Sequence, residues 1–298
     1  MVTRKTQSSW EDLIIKYKQD NKLYSRSCKL HNRCTQISLN DSDRLCPCGS
    51  LVRCHSFWDP NLQNREKNFN FPDNSLAGFK FNDSTTTPVT IFGRLKPNDC
   101  KFIRLDVQSD MNNIYQLLVD DSGGQNPKPD LILSIYGGTN YFNMVKQLEK
   151  RIICDLIDAV ITTNAWILTN GVDNGVAKLV GECISYHCLL TEISKKIKCI
   201  GLTMWGTVTE DMRCRLKYES HDYPKNEIYR QTPDNVQEHY ETIQKNHTHC
   251  ILFDDEKFNT HNGDSHRHNL VLTACKDKDH TCNAVTIIIG GSKATDTL

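Results

Sequence analysis

The chain has 298 residues, enough for one large α/β domain or two coupled lobes around a sizeable hydrophobic core. Its 36 basic and 36 acidic side chains balance and 38% of its residues are hydrophobic, which excludes a disordered composition and the basic character of a nucleic-acid-binding protein. Apolar runs reach only strand length, well short of the roughly 20 residues of a bilayer-spanning helix, so we expect no membrane insertion by this segment.

The chain carries 14 cysteines, a high number for a cytosolic protein. No apolar signal segment follows the first residues, so a reducing cytosol is the expected compartment. Cys154, Cys183, Cys199 and Cys250 lie in apolar or amphipathic stretches, where a free thiol behaves as a small hydrophobic side chain. We expect these cysteines to be reduced and buried, and the disulfide framework of a secreted protein is the competing interpretation.

Residues 1–99 form the first of two predicted regions. From Arg26 to Asp99 the sequence is rich in Asn, Ser, Thr, Asp and Cys and shows little hydrophobic periodicity. This composition predicts an irregular, Cys-rich segment with short strands, one of which is a β-type run from Pro88 to Gly93.

Thiol and imidazole side chains cluster in the same region and are numerous enough for a tetrahedral zinc site. The spacing of Cys46 and Cys48 is not that of a standard zinc knuckle, so free thiols remain the alternative and the sequence leaves zinc undecided. The side chains concerned are Cys28, His31, Cys34, Cys46, Cys48, Cys54 and His55.

Residues 100–298 form the second predicted region, in which strand and helix patterns alternate. In chain order the predicted elements are strand Lys101–Asp106, helix Met111–Val119, strand Leu131–Tyr136, helix Tyr141–Ile161, strand Trp166–Thr169, helix Val176–His187 and strands Cys199–Thr203, His249–Phe253 and Val285–Ile289. The helices carry apolar residues on one stripe, and nearly continuous apolar strands are typical of the inner strands of a parallel sheet. The alternation predicts an α/β fold, a Rossmann-like parallel sheet with helices on both faces.

A long stretch between Trp205 and Asn246 carries aromatic, proline and charged residues without a long apolar run. Irregular stretches of this length are usually functional, so we expect it to border the ligand cleft. Just after it, His247 and His249 alternate as strand residues do, which predicts that both side chains pack on one face rather than bind a metal.

Three glycine-containing turns follow predicted strands, at Gly137-Gly138, between Gly171 and Gly175, and at 290–291. In an open α/β sheet such turns lie at the carboxyl ends of the strands, where a following helix offers unpaired NH groups to a phosphate. Together they indicate a nucleotide or sugar-phosphate site. Neither GxGxxG nor GxxxxGK[ST] occurs, which argues against a standard NAD enzyme or a P-loop ATPase.

The strings LILSIYGG at 131–138 and TTNAWILTNG at 162–171 resemble the most recognisable part of the N-terminal homology region of melastatin-type transient receptor potential (TRPM) cation channels. The resemblance runs from about residue 40 to the C-terminus. Flanking motifs fall in the same order as in that family, namely CPCG at 46–49, WDP at 58–60, KFIR at 101–104, IG at 200–201, WG at 205–206, NHTH at 246–249, DD at 254–255 and GG at 290–291.

The resemblance implies a fold of the SLOG type, which is Rossmann-like and in some members holds ADP-ribose or a related nucleotide. It also implies a regulatory domain of a calcium-permeable cation channel, on the cytoplasmic side of the plasma membrane and packed against subunits of the same type in a homotetramer. Such a domain works by binding and not by turnover. The residues expected to line the cleft are Gly137, Gly138, Thr163, Asn164, Asn170, Gly171, Gly175 and Tyr229.

Two departures from the family pattern keep alternatives open. Asn164 and Asn170 stand where the family usually has glycine, and the helix that the family places after the final glycines is expected to be missing from a chain that stops at Leu298. One alternative is a structural assembly domain without a ligand. The other is a SLOG-type nucleotide-processing enzyme that would use Asp254 or Asp255 as its carboxylate.

Overall fold

The computed structural model of the chain describes residues 8–28, 84–124, 126–137, 146–190, 197–222, 242–255 and 263–289. In these ranges the helices are α1 Trp10–Gln19, α2 Met111–Ser122, α3 Lys146–Thr163, α4 Gly175–Leu190, α5 Glu210–Tyr218 and α6 Gly263–Cys275. The strands are β1 Tyr24–Cys28, β2 Ser84–Pro88, β3 Phe92–Leu95, β4 Cys100–Asp106, β5 Leu131–Gly137, β6 Ala165–Thr169, β7 Lys198–Met204, β8 His249–Asp254 and β9 Asn283–Ile289. None of the helices in these ranges is both long and apolar enough to cross a bilayer.

Seven strands form one sheet in the spatial order β3-β4-β8-β7-β6-β5-β9. All neighbouring pairs are parallel except β3 and β4, which pair antiparallel. Strands β1 and β2 form a separate antiparallel ribbon. The predicted α/β fold with a mostly parallel, Rossmann-like sheet is therefore confirmed.

Helices cover both faces of the sheet, and the strands supply alternate residues to each face. Ile132 of β5 belongs to the core under α1, α2 and α6, whereas its neighbour Leu133 belongs to the core under α3 and α4. Helix α5 packs through Met212 and Leu216 at the β4 and β8 end of this second face. Each fully buried aliphatic or aromatic side chain contributes on the order of 1.5–3 kcal/mol, so both cores stabilise the sheet.

Helix α1 is not among the helices predicted from the sequence. Trp10, Leu13 and Tyr17 are buried on one stripe, and Ser9 and Asp12 form a capping box that satisfies the first NH groups. The Trp10 indole donates a hydrogen bond to the carbonyl oxygen of Phe102 in β4, at 3.3 Å. The helix is thereby attached to the main sheet.

The prediction of a single strand from Pro88 to Gly93 is wrong. Pro88 ends β2 and Gly93 lies inside β3, so two separate strands meet in this interval. Gly93 is needed within β3 because a Cβ there would lie 2.9 Å from the carbonyl oxygen of Glu219. A close approach of backbones, rather than a turn, explains this glycine.

Nine cysteines among the described residues are thiols that are not joined in disulfide bonds. Among the four that the sequence singles out, Cys183, Cys199 and Cys250 are buried as predicted, whereas Cys154 is only half-buried. Burial raises the pKa of Cys199 and of Cys250 well above 9.0, which keeps both as inert thiols in the core.

Candidate ligand-binding site

The turns at the carboxyl ends of β5 and β6 meet at the start of α4. Gly137 is the last residue of β5, and a Cβ on it would lie 2.2 Å from Cγ2 of Val176 in α4 and 2.8 Å from the carbonyl oxygen of Ile289 in β9. Only glycine permits this approach, so Gly137 lets the first turn of α4 pack directly on the ends of β5 and β9.

Gly171 permits a second close approach at the same edge. Its φ is +73°, and a Cβ on it would lie 2.8 Å from Cα of Gly201 in β7. The turn is stabilised locally, because the Gly171 NH donates to the Thr169 hydroxyl at 3.0 Å and the Val172 NH donates to Oδ1 of Asn170 at 3.3 Å. The backbone of the β6–α4 turn therefore rests on the backbone of β7.

The segment that precedes β8 forms hydrogen bonds with the β6–α4 turn. The NH of Gln244 donates to the Gly171 carbonyl at 2.8 Å, and its side-chain amide donates to Oδ1 of Asp173 at 2.6 Å. Helix α4 begins beyond it at Gly175, whose φ is +48°. The N-terminus of α4, with its unpaired NH groups, consequently opens at the same edge as Gly137 and Gly171.

Thr163 and Asn164 lie elsewhere. Both precede β6, so they are at its amino end and are separated from Asn170 by the whole strand, which is about 16 Å long. Asn164 has a φ of +47° and its side-chain amide donates to the Lys128 carbonyl at 3.0 Å, while the Thr163 hydroxyl donates back into α3. These are the contacts of a helix end, and the structure does not bring the two residues together with Gly137 and Gly171.

Several predicted site residues cannot be placed. Gly138, Tyr229 and the glycines at 290–291 lie outside the described residues, as do the side chains of the zinc hypothesis. Within the described part of the chain, no group of three or more His, Cys, Asp or Glu side chains is arranged to hold a metal ion.

A buried arginine that the sequence did not reveal lies beside the end of β5. Arg267 of α6 is 3% exposed, its guanidinium lies 3.6 Å from the centre of the Tyr136 ring, and it donates to the carbonyl of Ile135 at 2.8 Å. It also pairs with Asp264. Arg267 thus places a buried cation against β5, on the face of the sheet that α6 covers, next to the strand end at Gly137.

The connections that leave β7 and β8 run to opposite faces of the sheet, because α5 packs on Leu252 and α6 on the core that contains Phe253. Such a switch point is where open α/β sheets usually bind ligands. Here it is occupied by Arg104, whose Nε donates to Asp254 at 2.6 Å and whose guanidinium lies 4.9 Å from the Trp205 ring centre. Asp254, a candidate carboxylate of the enzyme alternative, is therefore engaged in a buried ion pair.

His247, just ahead of β8, and His249, its first residue, point to different faces, which corrects the prediction of a shared face. His249 contacts Trp10 and Asp121 on the α1 and α2 face, while His247 lies by Gly201 and Ala177 on the α4 face. The alternation fails because β8 begins only at His249. Burial lowers the pKa of each imidazole to about 3, so both are neutral near pH 7.

A buried group of charges lies at the amino edge of the sheet. We call Asp121, Lys101, Lys198 and His249 the amino-edge cluster. Asp121 accepts hydrogen bonds from Lys101 at 2.7 Å and from His249 at 2.9 Å, and Lys198 lies 3.9 Å away. Burial lowers the pKa of Lys198 to about 7, against the opposing charge of Asp121. The cluster joins α2 to three strands on the side of the sheet away from the glycine turns.

A groove of about 430 Å³ opens between the start of α2 and one stripe of α6. It lies at the carboxyl end of β4 and carries no acidic side chain; His266 at its base stacks on Phe253 with ring centroids 3.9 Å apart. Its lining consists of Val107, Gln108, Ser109, Met111, Asn112, His266, Asn269, Leu272, Thr273 and Lys276. None of the predicted site residues belongs to it.

Comparison with known proteins agrees with this architecture. A family model described as "SLOG in TRPM" matches residues 100–295. Transient receptor potential cation channel subfamily M member 6 of Mus musculus is 27% identical over 293 residues, 95% of this chain and 14% of the relative. Member 7 of Rattus norvegicus is 30% identical over 173 residues, 55% of this chain and 9% of the relative. Member 2 of Mus musculus is 27% identical over 231 residues, 73% of this chain and 14% of the relative.

The chain thus spans only between 9% and 14% of the length of these relatives. The family match covers all six parallel strands of the main sheet, β4 to β9, and the turns at their carboxyl ends. The predicted resemblance is therefore confirmed, and the chain belongs to the family of SLOG domains found in TRPM channels.

Proposed function

We propose that this chain is a ligand-sensing and assembly domain of a TRPM-like, calcium-permeable cation channel, which acts by binding and not by catalysis. Membership of the family and the channel names of the similar proteins support this function. In the proposed setting the domain lies on the cytoplasmic side of the plasma membrane and packs against subunits of the same type in a homotetramer. A ligand would alter gating only to the extent that it favours one packing of the domains over another.

The proposed ligand is a nucleotide such as ADP-ribose, bound at the edge formed by Gly137, Asn170, Gly171 and Gly175. One observation carries this proposal: two glycine turns from neighbouring strands converge on the N-terminus of α4, where unpaired NH groups and the helix dipole favour a phosphate. Arg267 lies beside the end of β5 as well, but its charge is already paired with Asp264. Gly138 and Tyr229 belong to the same proposed site, outside the described residues.

A structural assembly domain without a ligand remains the second candidate. It is favoured by the finding that Gly137 and Gly171 are each required by close backbone packing, which needs no ligand as an explanation. The enzyme alternative has less support, because Asp254 is held by Arg104.

The division of the chain at residue 100 is part of the same proposal. The family match begins at that residue, which supports a SLOG-type unit from 100 to 298 preceded by a segment of different character. Helix α1 would then be an N-terminal addition that packs on the unit through Trp10.

The test is calorimetric titration of the folded chain with ADP-ribose. Asn170→Asp keeps a side-chain oxygen for the Val172 NH but adds a negative charge at the proposed phosphate cradle, so we expect affinity to fall at least tenfold. Asn164→Asp adds the same charge at the opposite edge and should leave the affinity unchanged. Absence of saturable binding to a folded wild-type chain would favour the assembly domain, and equal effects of the two variants would place the ligand elsewhere.

A further inference from the structure

Two cysteines face each other between α3 and α4. The sulfur atoms of Cys154 in α3 and Cys183 in α4 are 3.9 Å apart. Both helices pack side by side in the apolar cluster that also contains Ile157 and Val180. The two thiols are therefore held as neighbours by helices that the core fixes in place, although 29 positions separate them in the chain.

The pair combines a buried cysteine with a half-buried one. Cys183 is 6% exposed, whereas Cys154 is half-buried and keeps part of its surface in contact with solvent. A disulfide has a sulfur–sulfur bond of about 2.05 Å, so the sulfurs must approach by roughly 2 Å. Side-chain rotation brings two cysteines on adjacent helices together by this amount without separating the helices.

The other thiols in contact are poorer candidates. Cys282 contacts Cys275 at the end of α6, but burial and then the neighbouring thiol and carboxylates raise the pKa of Cys282 to about 12. A thiol with so high a pKa supplies almost no thiolate for attack on a partner. Cys154 and Cys183, in contrast, lie on two helices that pack side by side, and Cys154 is half-buried.

We propose that Cys154 and Cys183 form a reversible intramolecular disulfide when the protein meets hydrogen peroxide. The Cys154 thiolate attacks one peroxide oxygen, the O–O bond breaks, and with one proton the leaving oxygen becomes water, which leaves a sulfenic acid on Cys154. The sulfur of Cys183 then attacks the sulfur of Cys154; the S–S bond forms, the S–O bond breaks, and the hydroxyl leaves as water with the Cys183 proton. Two thiols are oxidised and one peroxide is reduced to two waters.

Transient disulfides of this kind are the usual use of disulfide chemistry in a reducing cytosol. A thiol reductant reverses the bond by thiol–disulfide exchange. The bond would join the helix that follows β5 to the helix that follows β6, and these strands end at Gly137 and just before Gly171. If the proposed ligand site is correct, oxidation would restrain both of its turns; this consequence rests on the proposed function, whereas disulfide formation does not.

The test treats the full folded chain with hydrogen peroxide, alkylates the remaining thiols and maps the peptides by mass spectrometry. We expect a peptide pair linked through Cys154 and Cys183, a raised melting temperature, and loss of both after dithiothreitol. Cys183→Ala should accumulate a sulfenic acid on Cys154 that dimedone traps, because the resolving thiol is gone. Cys188→Ser, which changes another thiol of α4, should leave the cross-link intact.

The proposal is overturned if the wild-type chain, still folded, keeps both thiols free under peroxide that oxidises other cysteines, or if Cys154 proceeds to a sulfinic acid without linking to Cys183. The wild-type peptide map alone gives this answer, even if a variant fails to fold. Because the readout needs no nucleotide, failure to bind ADP-ribose and failure to form the disulfide are separate results.

Discussion

Asp121 is the anion of the amino-edge cluster, and Asp121→Asn should be strongly destabilising. The carboxylate accepts from Lys101 at 2.7 and 2.8 Å and from His249 at 2.9 Å, and all three groups are largely withdrawn from water. Removing one partner of a buried ion pair costs about 3–5 kcal/mol, and because 21% of the Lys101 side chain is exposed we expect a loss near 3 kcal/mol. Urea denaturation near pH 7 measures this change in the free energy of unfolding.

The pH dependence of the free energy of unfolding shows whether Asp121→Asn destabilises the chain through the loss of its negative charge or through altered packing. Burial alone would raise the pKa of Asp121, but the hydrogen bond from His249 and the charge of Lys101 lower it well below its usual value of 3.8. A lowered carboxyl pKa stabilises the folded chain above 3.8 and loses that effect as the pH falls through the folded pKa. The difference between wild type and Asp121→Asn should therefore shrink as the pH falls below 3.8.

A neighbouring carboxylate provides the matched control. Asp120 accepts from the neutral Tyr17 hydroxyl on Oδ2 at 2.8 Å and from the Gln116 amide on Oδ1 at 2.7 Å. An asparagine can keep its oxygen on the Gln116 amide and donate its own amide to the Tyr17 hydroxyl oxygen, so both contacts survive. Asp120→Asn should cost less than about 1 kcal/mol, the net worth of a neutral hydrogen bond. If Asp121→Asn costs no more than Asp120→Asn, the amino-edge cluster does not stabilise the fold and the reasoning fails.

Two further predictions concern the glycine turn and the buried histidines. Gly171→Ala should lower the free energy of unfolding by about 2–4 kcal/mol, because alanine must adopt a φ of +73° and its Cβ would lie 2.8 Å from Gly201. Gly124 has a φ of +80° and no atom within 4 Å of the position that a Cβ would take, so Gly124→Ala should cost only the backbone strain of a positive φ, about 1–2 kcal/mol. Similar losses for both variants by urea denaturation would argue against the Gly171–Gly201 contact. His247 has a folded pKa of about 3 against 6.5, so the unfolded chain takes up its proton first and stability falls as the pH drops from 6.5 towards 3. His247→Leu should flatten that decline in acid unfolding curves, and an unchanged slope would contradict the assignment.

Most of the sheet could be predicted because each inner strand is a short apolar run followed by a turn signal. Strands β5 and β6 follow that rule, and Leu131 to Tyr136, directly ahead of Gly137, shows it most clearly. The spatial order of the strands could not be obtained in this way, since it depends on which faces the helices cover. Helix α1 was within reach of sequence reasoning, because Ser9 and Asp12 carry a capping signal ahead of an apolar stripe.

Part of the candidate site could likewise be predicted from the sequence, and part could not. Gly137 and Gly171 follow strands, and their place at the carboxyl edge could be deduced from parallel pairing alone. Asn164 precedes its strand, so the direction of the strand places it at the opposite edge. Contacts such as that of His249 with Asp121, 128 positions apart, depend on tertiary packing and leave no local signal.

The pairing of β4 with β8 has a consequence for synthesis of the protein. Arg104 and Asp254, which form an ion pair across these strands, are 150 residues apart in the chain. One of the two neighbours of β5 is likewise synthesised late, because Leu131 of β5 pairs with Asn283 of β9. On the ribosome β5, β6 and β7 can associate in order, but β4 stays without its parallel neighbour until β8 has emerged. Domains assembled from such distant pairings fold slowly and expose apolar strands in the meantime. A nascent chain of this family should therefore depend on chaperone protection until β9 has left the exit tunnel.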